Sequence, residues 1–267
     1  MTMRLAGIDF TCNPSWRKPV TLALGALEGE FLRVIALEAF ATLDRFDAWL
    51  ATPGPWLGAF DFPFGLPRPF VESNGLGATC AEVIATVHAR CPTRMSWRAL
   101  IDAWGNTQPE GARLLHRRTD AASEVTSTSP LQTRYVPVGL MYYEGVARLV
   151  RANVSMPELH GGDAGRVALE GYPRRLAHAL IGRCSYKNHD LPDRAVAREA
   201  IVSALEAGRA GAALCLDAAL RRSLIADASG DRLDAVLCLA QAARASRRVG
   251  YGLPRDVDAV EGWIIGE

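Results

Sequence analysis

Residues 4–40, RLAGIDFTCNPSWRKPVTLALGALEGEFLRVIALEAF, hold three apolar runs, at 4–10, 20–27 and 31–39, and only Glu28-Gly29-Glu30 separates the second from the third. Apolar runs of this length, bounded by turn residues, read as strands. So short a joint returns the chain beside itself, so the second and third strands pair antiparallel. Thr42 then caps a helix to about Leu50, with Leu43, Phe46, Trp49 and Leu50 on one face, until Thr52-Pro53-Gly54-Pro55 stops it. WLGAFDF at 56–62 is a fourth strand. The order β-β-β-α-β predicts an α/β fold that opens on an antiparallel meander.

Beyond Pro63 the texture changes. Helical stretches at about 78–90, 96–104 and 139–152, separated by Pro- and Gly-containing loops, predict a large, mainly helical insertion at about 63–165 within a single domain spanning 1–267. Arg166 to Gly171 resumes a strand, which Tyr172-Pro173 ends. Helices are expected at 173–181, 193–207, 211–226 and 231–247, and the tail EGWII reads as a last short strand or a docked extended segment. No repeat or low-complexity tract is present.

Composition narrows the function classes. The hydrophobic fraction is 49% and the charged fraction 22%, and no run approaches the ~20 apolar residues of a membrane helix. The stretch MTMRLAGIDF enters a strand-like run at once, without the basic, apolar and small-residue order of a leader, so a cytoplasmic protein without membrane partners is expected. Six cysteines form no C-x-x-C pair and no zinc-like cluster. A net charge of +1 excludes a global basic field, so any polyanion needs a local patch. Lysine occurs only at 18 and 187, and arginine supplies the rest of the positive charge. There is no G-x-S-x-G elbow, Walker loop or dinucleotide fingerprint.

The chemistry-bearing residues are acids that end apolar runs. Asp9 ends the first strand, where α/β sheets expose functional groups. Asp61 ends the fourth, among Phe60, Phe62 and Phe64, where a carboxylate is costly unless paired, hydrogen-bonded or metal-bound. Glu170 repeats the pattern after Val167, Ala168 and Leu169; its competing reading is an ion pair with Arg174 or Arg175. Asp231 and Asp234 open GDRLDAVLCLAQAA, with Asp234 beside the packed face and Asp231 also readable as a helix cap. Carboxylates gathered without counter-ions either hold protons or bind cations. Oxygen-only ligation suits Mg²⁺ or Mn²⁺, and two such ions can activate water and stabilise a leaving oxygen in phosphodiester cleavage.

These motifs, GID at 7–9, FDFPFGLPR at 60–68, EGYPR at 170–174, SYKN at 185–188 and GDRLDAVLCLAQAA at 230–243, resemble in their order the predicted nucleases grouped as domain of unknown function 429, in the ribonuclease H-like superfamily. The resemblance spans residues 7–243. It implies a ribonuclease H-like mixed sheet, three antiparallel strands and then parallel ones, flanked by helices, with Asp9, Asp61, Glu170 and Asp234 on the metal-ligand positions and Asp231 beside them. The helix glutamate of ribonuclease H has no counterpart, Asp44 and Asp47 being poor matches, so the number of metals stays open.

The expected activity is a Mg²⁺- or Mn²⁺-dependent hydrolase of nucleic-acid phosphodiesters, with Asp9, Asp61, Glu170 and Asp234 as catalytic ligands and Lys187 assisting. Nucleic acid, DNA or RNA, is the expected partner, and a homodimer is one assembly considered. A non-catalytic ligand- or protein-binding module on the same fold is the alternative; a sugar-kinase-like phosphotransferase would need a second such half. The arginines of RLLHRRTD at 113–120, Arg174/Arg175, and Arg244, Arg247 and Arg248 are candidates for a nucleic-acid groove, and Phe60, Phe62, Phe64 and Phe70 are candidate base-stacking groups that read equally as core.

Overall fold

A computed structural model describes residues 3–122 and 125–266. The first strands form as the patterning demands: β1 (Arg4–Asp9), β2 (Val20–Glu28) and β3 (Phe31–Phe40). Gly29, at φ +60, makes the tight turn between β2 and β3. Thr42 caps α1 (Leu43–Leu50) by accepting from the Arg45 amide, and β4 (Trp56–Asp61) follows.

The region 63–165 carries α2 (Arg68–Ser73), α3 (Cys80–Arg90), α4 (Arg94–Asn106), α5 (Arg118–Ala121), α6 (Val138–Arg151) and the two-residue β5 (Val154–Ser155). Capping boxes at Thr79 with Glu82 and at Thr93 with Ser96 set the starts of α3 and α4. Then come β6 (Asp163–Glu170), α7 (Pro173–Ile181), α8 (Pro192–Glu206), β7 (Ala213–Cys215), α9 (Ala218–Ala226) and α10 (Asp231–Ser246). The helix expected at 211–226 is thus a strand and a shorter helix. The Asp217 carboxylate caps α9 by accepting from the Leu220 amide, and the residues before it pair with the edge of β3, where the Ala213 amide donates to Glu30 at 2.8 Å.

Among the described residues the strands form one seven-stranded mixed sheet in the order β5-β6-β4-β1-β2-β3-β7. β1–β2 and β2–β3 are antiparallel; β1–β4, β4–β6, β5–β6 and β3–β7 are parallel. The tail docks as an extended segment, with Ile264 bridging Glu170 in parallel. No described helix is long and apolar enough to cross a membrane.

Strand alternation divides the core into two layers. Ala6, Ile8, Leu22 and Phe60 pack against α1, α3, α4 and α6; Leu5, Ala23, Leu57 and Ala59 pack against α7, α8 and α10. The phenylalanines belong to the first layer. Phe60, Phe62 and Phe64 meet one another with centroids 5.2 to 6.1 Å apart, and Phe70 packs edge-on against Trp97 and Trp104. All four are buried in the core, and of them Phe62 also borders a cavity.

Candidate metal centre

The site begins with a register. β1 and β4 are parallel neighbours in which Asp9 stands opposite Asp61, both at the C-terminal ends of their strands. Alternation turns both side chains to the α10 layer, because Leu5 and Gly7 precede Asp9 on that face and Leu57 and Ala59 precede Asp61. α10 can lie directly on β1 because residue 7 is glycine. A Cβ there would stand 2.0 Å from the Ala235 carbonyl oxygen and 2.1 Å from the Leu239 nitrogen. This close approach brings the first turn of α10, with Asp234 fully buried, over the two strand ends.

Asp9, Asp61 and Asp234 each present one carboxylate oxygen such that all three lie within 4.8 Å of one another, and among the described residues no other His, Cys, Asp or Glu group does so. Burial pushes the Asp9 carboxyl well above its usual range, and Asp234, Asp231 and Asp61 push it further. Burial likewise raises Asp61 to about 7, although Lys187 opposes the rise. The donors are all oxygens, which is the set that Mg²⁺ or Mn²⁺ takes, and a cation would relieve both the desolvation and the mutual repulsion.

Two neighbours already contact Asp234. The Tyr186 hydroxyl donates to its Oδ1 at 2.5 Å, and Lys187 Nζ donates to Oδ2. Burial works against the charge on Lys187, but Asp234, Asp61 and Asp9 outweigh it and keep the ammonium charged. The lysine can come this close because Gly230, at φ +80, opens α10 without a side chain; a Cβ there would meet Lys187 Cβ at 2.6 Å. Tyr186 went unsuspected in the sequence, where its only signal is its place in SYKN.

Glu170 is placed otherwise. Its strand partner in β4 is Phe60, one residue short of Asp61, and a one-residue offset turns a side chain to the opposite face. Its oxygens accept from Arg117 Nη1 and Nη2 at 2.8 and 2.6 Å, and Oε2 also accepts from the Phe64 amide at 2.9 Å. Arg117, 2% exposed, reaches Asp120 as well, so in place of metal ligation, or of the competing ion pair with Arg174 or Arg175, one buried arginine bridges two acids. Burial raises the Glu170 carboxyl, and Arg117 opposes the rise.

Asp231 lies half-buried in the first turn of α10, outside the group of three. Gly230, not Asp231, is the N-cap. Burial raises the Asp231 carboxyl, as do Asp227 and Asp234, while Lys18 and Lys187 oppose the rise.

Four of the eight arginines named for a groove are engaged elsewhere. Arg117 is interior, and Arg118 pairs with Asp256 at 2.6 Å. Arg247 binds Glu30 and the carbonyls of Gly29 and Gly211, about 20 Å along α10 from Asp234 at 1.5 Å per residue. Arg175 is buried against Thr119, whereas Arg174 is exposed beside the carboxylates.

A cavity of about 260 Å³ opens beside Asp61, walled by Phe62, Met141, Tyr172, Lys187 and Asn188. No protein-family model matches this chain, and no curated protein or solved structure matches it either.

Proposed function

We propose that this chain is a divalent-metal-dependent hydrolase of nucleic-acid phosphodiester bonds built on a ribonuclease H-like fold. One observation carries the reading: three carboxylates from two adjacent parallel strand ends and the first turn of a crossing helix converge within 4.8 Å. The sheet supports it, since three antiparallel strands continue into parallel ones and the acids lie at their C-terminal ends.

In this reading Asp9, Asp61 and Asp234 hold Mg²⁺ or Mn²⁺. The bound ion would polarise a phosphoryl oxygen and lower the pKa of attacking water. Lys187 then moves its ammonium from Asp234 toward the substrate phosphate, and Tyr186 keeps Asp234 oriented through its hydroxyl. Glu170 keeps the loop at Phe64 and Arg117 in place from the opposite face of the sheet.

The test is Mn²⁺-dependent cleavage of a panel of single-stranded, duplex and branched DNA and RNA. Cleavage by the wild type and its loss in Asp9→Asn support the proposal; full activity in that variant rejects it. The contact between Lys187 and Asp234 favours a second reading, a non-catalytic binding module whose acids are neutralised from within. That reading predicts no Mg²⁺ or Mn²⁺ binding by calorimetry.

A further inference from the structure

Beside the carboxylates the surface changes sign. A cleft of about 560 Å³ is lined by Arg174, Arg183, Lys187 and Arg194, with His178 and His189, and among the described residues no carboxylate lines it. Arg174 and Arg183 are exposed and form no ion pair with a described residue. The segment joining α7 to α8, which carries much of this charge, is anchored. Buried Arg198 donates to the carbonyls of Tyr186 at 2.9 Å and Ile225 at 2.7 Å, and the Asn188 amide donates to Ala228 at 3.0 Å. At Lys187 the cleft meets the smaller cavity beside Asp61, with Arg174, Lys187 and Asn188 in both walls. The smaller cavity is walled by Phe62, Tyr172 and Met141, and Asn188 also lines it.

Resting on the nuclease reading above, we infer that the substrate is single-stranded nucleic acid, its phosphates held in the Arg174–Arg183 cleft and one unstacked base seated in the cavity beside Asp61. Exposed cations that form no ion pair with a described residue suit a chain of phosphates. A small cavity with an aromatic wall and an asparagine in its lining suits the face and rim of one base, which a duplex offers only after unpairing.

The experiment measures anisotropy of a fluorescein-labelled oligothymidine of about twenty nucleotides, and of a duplex of the same length, against the full chain in EDTA over a salt series. The expected result is single-strand binding at least ~10-fold tighter than duplex binding. In Arg174→Gln/Arg183→Gln, two lost phosphate contacts at about 0.7 each lower the salt slope by about 1.4, which weakens binding roughly 25-fold at 0.1 M salt. Both side chains are exposed, and an unchanged melting curve checks the fold of the variant. Equal or tighter duplex binding, or a double variant with wild-type affinity and slope, overturns the inference. In that event Mn²⁺-dependent cleavage by the wild type still stands. If the nuclease reading fails instead, the wild type binds the strand and does not cut it.

Discussion

In the proposed metal site, Asp61 would tie stability to cation binding. Burial holds its carboxyl near pH 7, about three units above an unfolded aspartate. The folded chain therefore binds more protons than the unfolded one between about pH 4 and 7. The corresponding stability is fully present below about pH 4 and is lost as the pH rises through about 7. A divalent cation needs the ionised form, so its effect runs the other way. The melting temperature of the metal-free chain should fall between pH 5.5 and 8, while the rise on adding Mn²⁺ should be larger at pH 8. A Mn²⁺ shift independent of pH would separate Asp61 from the cation. In Asp9→Asn the apo chain should melt higher than wild type, on the order of 1 kcal/mol, because a buried like charge is gone, and the Mn²⁺ shift should disappear. Scanning calorimetry with and without EDTA reads both effects. Arg117 behaves oppositely, since Glu170 and Asp120 both lean on it. Arg117→Met should cost about 3–5 kcal/mol in urea unfolding by leaving two buried acids without their cation. A cost below about 1 kcal/mol would mean that the acids find other partners or take up protons.

At the level of elements, the site depends on α10 lying against β1. Gly7→Ala should lift the helix or prevent folding, since the added methyl would stand 2.0 Å from a backbone oxygen. Gly29→Ala makes the control: nothing lies within 4 Å of its Cβ, and the cost is the strain of φ +60, about 1 kcal/mol. Comparable melting of the two variants would contradict the close crossing. The four-strand frame was legible because each strand carries its own apolar run and its own turn, which are local signals. Asp9 and Asp61 were legible because an acid ending an apolar run is conspicuous in either strand alone. β7 was not, since its short, alanine-rich segment has the composition of the helix that follows and becomes a strand only by pairing with β3. The face taken by Glu170 was hidden as well. It follows from pairing with Phe60 rather than Asp61, and a register of one residue leaves no trace in either strand's sequence. Arg117 was misread as a surface cation because its partner Glu170 lies 53 residues away.

Across the whole molecule a net charge of +1 conceals a separation of charge. Three clustered carboxylates stand on one side of Lys187 and, on the other, a cleft lined by Arg174 and Arg183, which form no ion pair with a described residue. In the proposed reading, a phosphate entering from the cleft is drawn by Arg174 and Arg183 and repelled by the ionised members of Asp9, Asp61 and Asp234, so the metal-free protein should bind a strand only part of the way in. A hard cation on the carboxylates reverses the sign of that last stretch. Ca²⁺ takes oxygen ligands and serves as the probe in its own right. Adding it should tighten oligothymidine binding by about 10-fold, equivalent to about 1.4 kcal/mol of removed repulsion. Asp234→Asn should bind the strand more tightly than wild type in EDTA, having lost one repelling charge, and should respond less to Ca²⁺. Lys187→Met should weaken binding in EDTA, because this ammonium offsets the carboxylates when no divalent ion is bound. The same titration gives all three comparisons. A wild-type affinity indifferent to Ca²⁺ would place the phosphate path away from the carboxylates, whereas the opposed shifts of Asp234→Asn and Lys187→Met would trace the path between them.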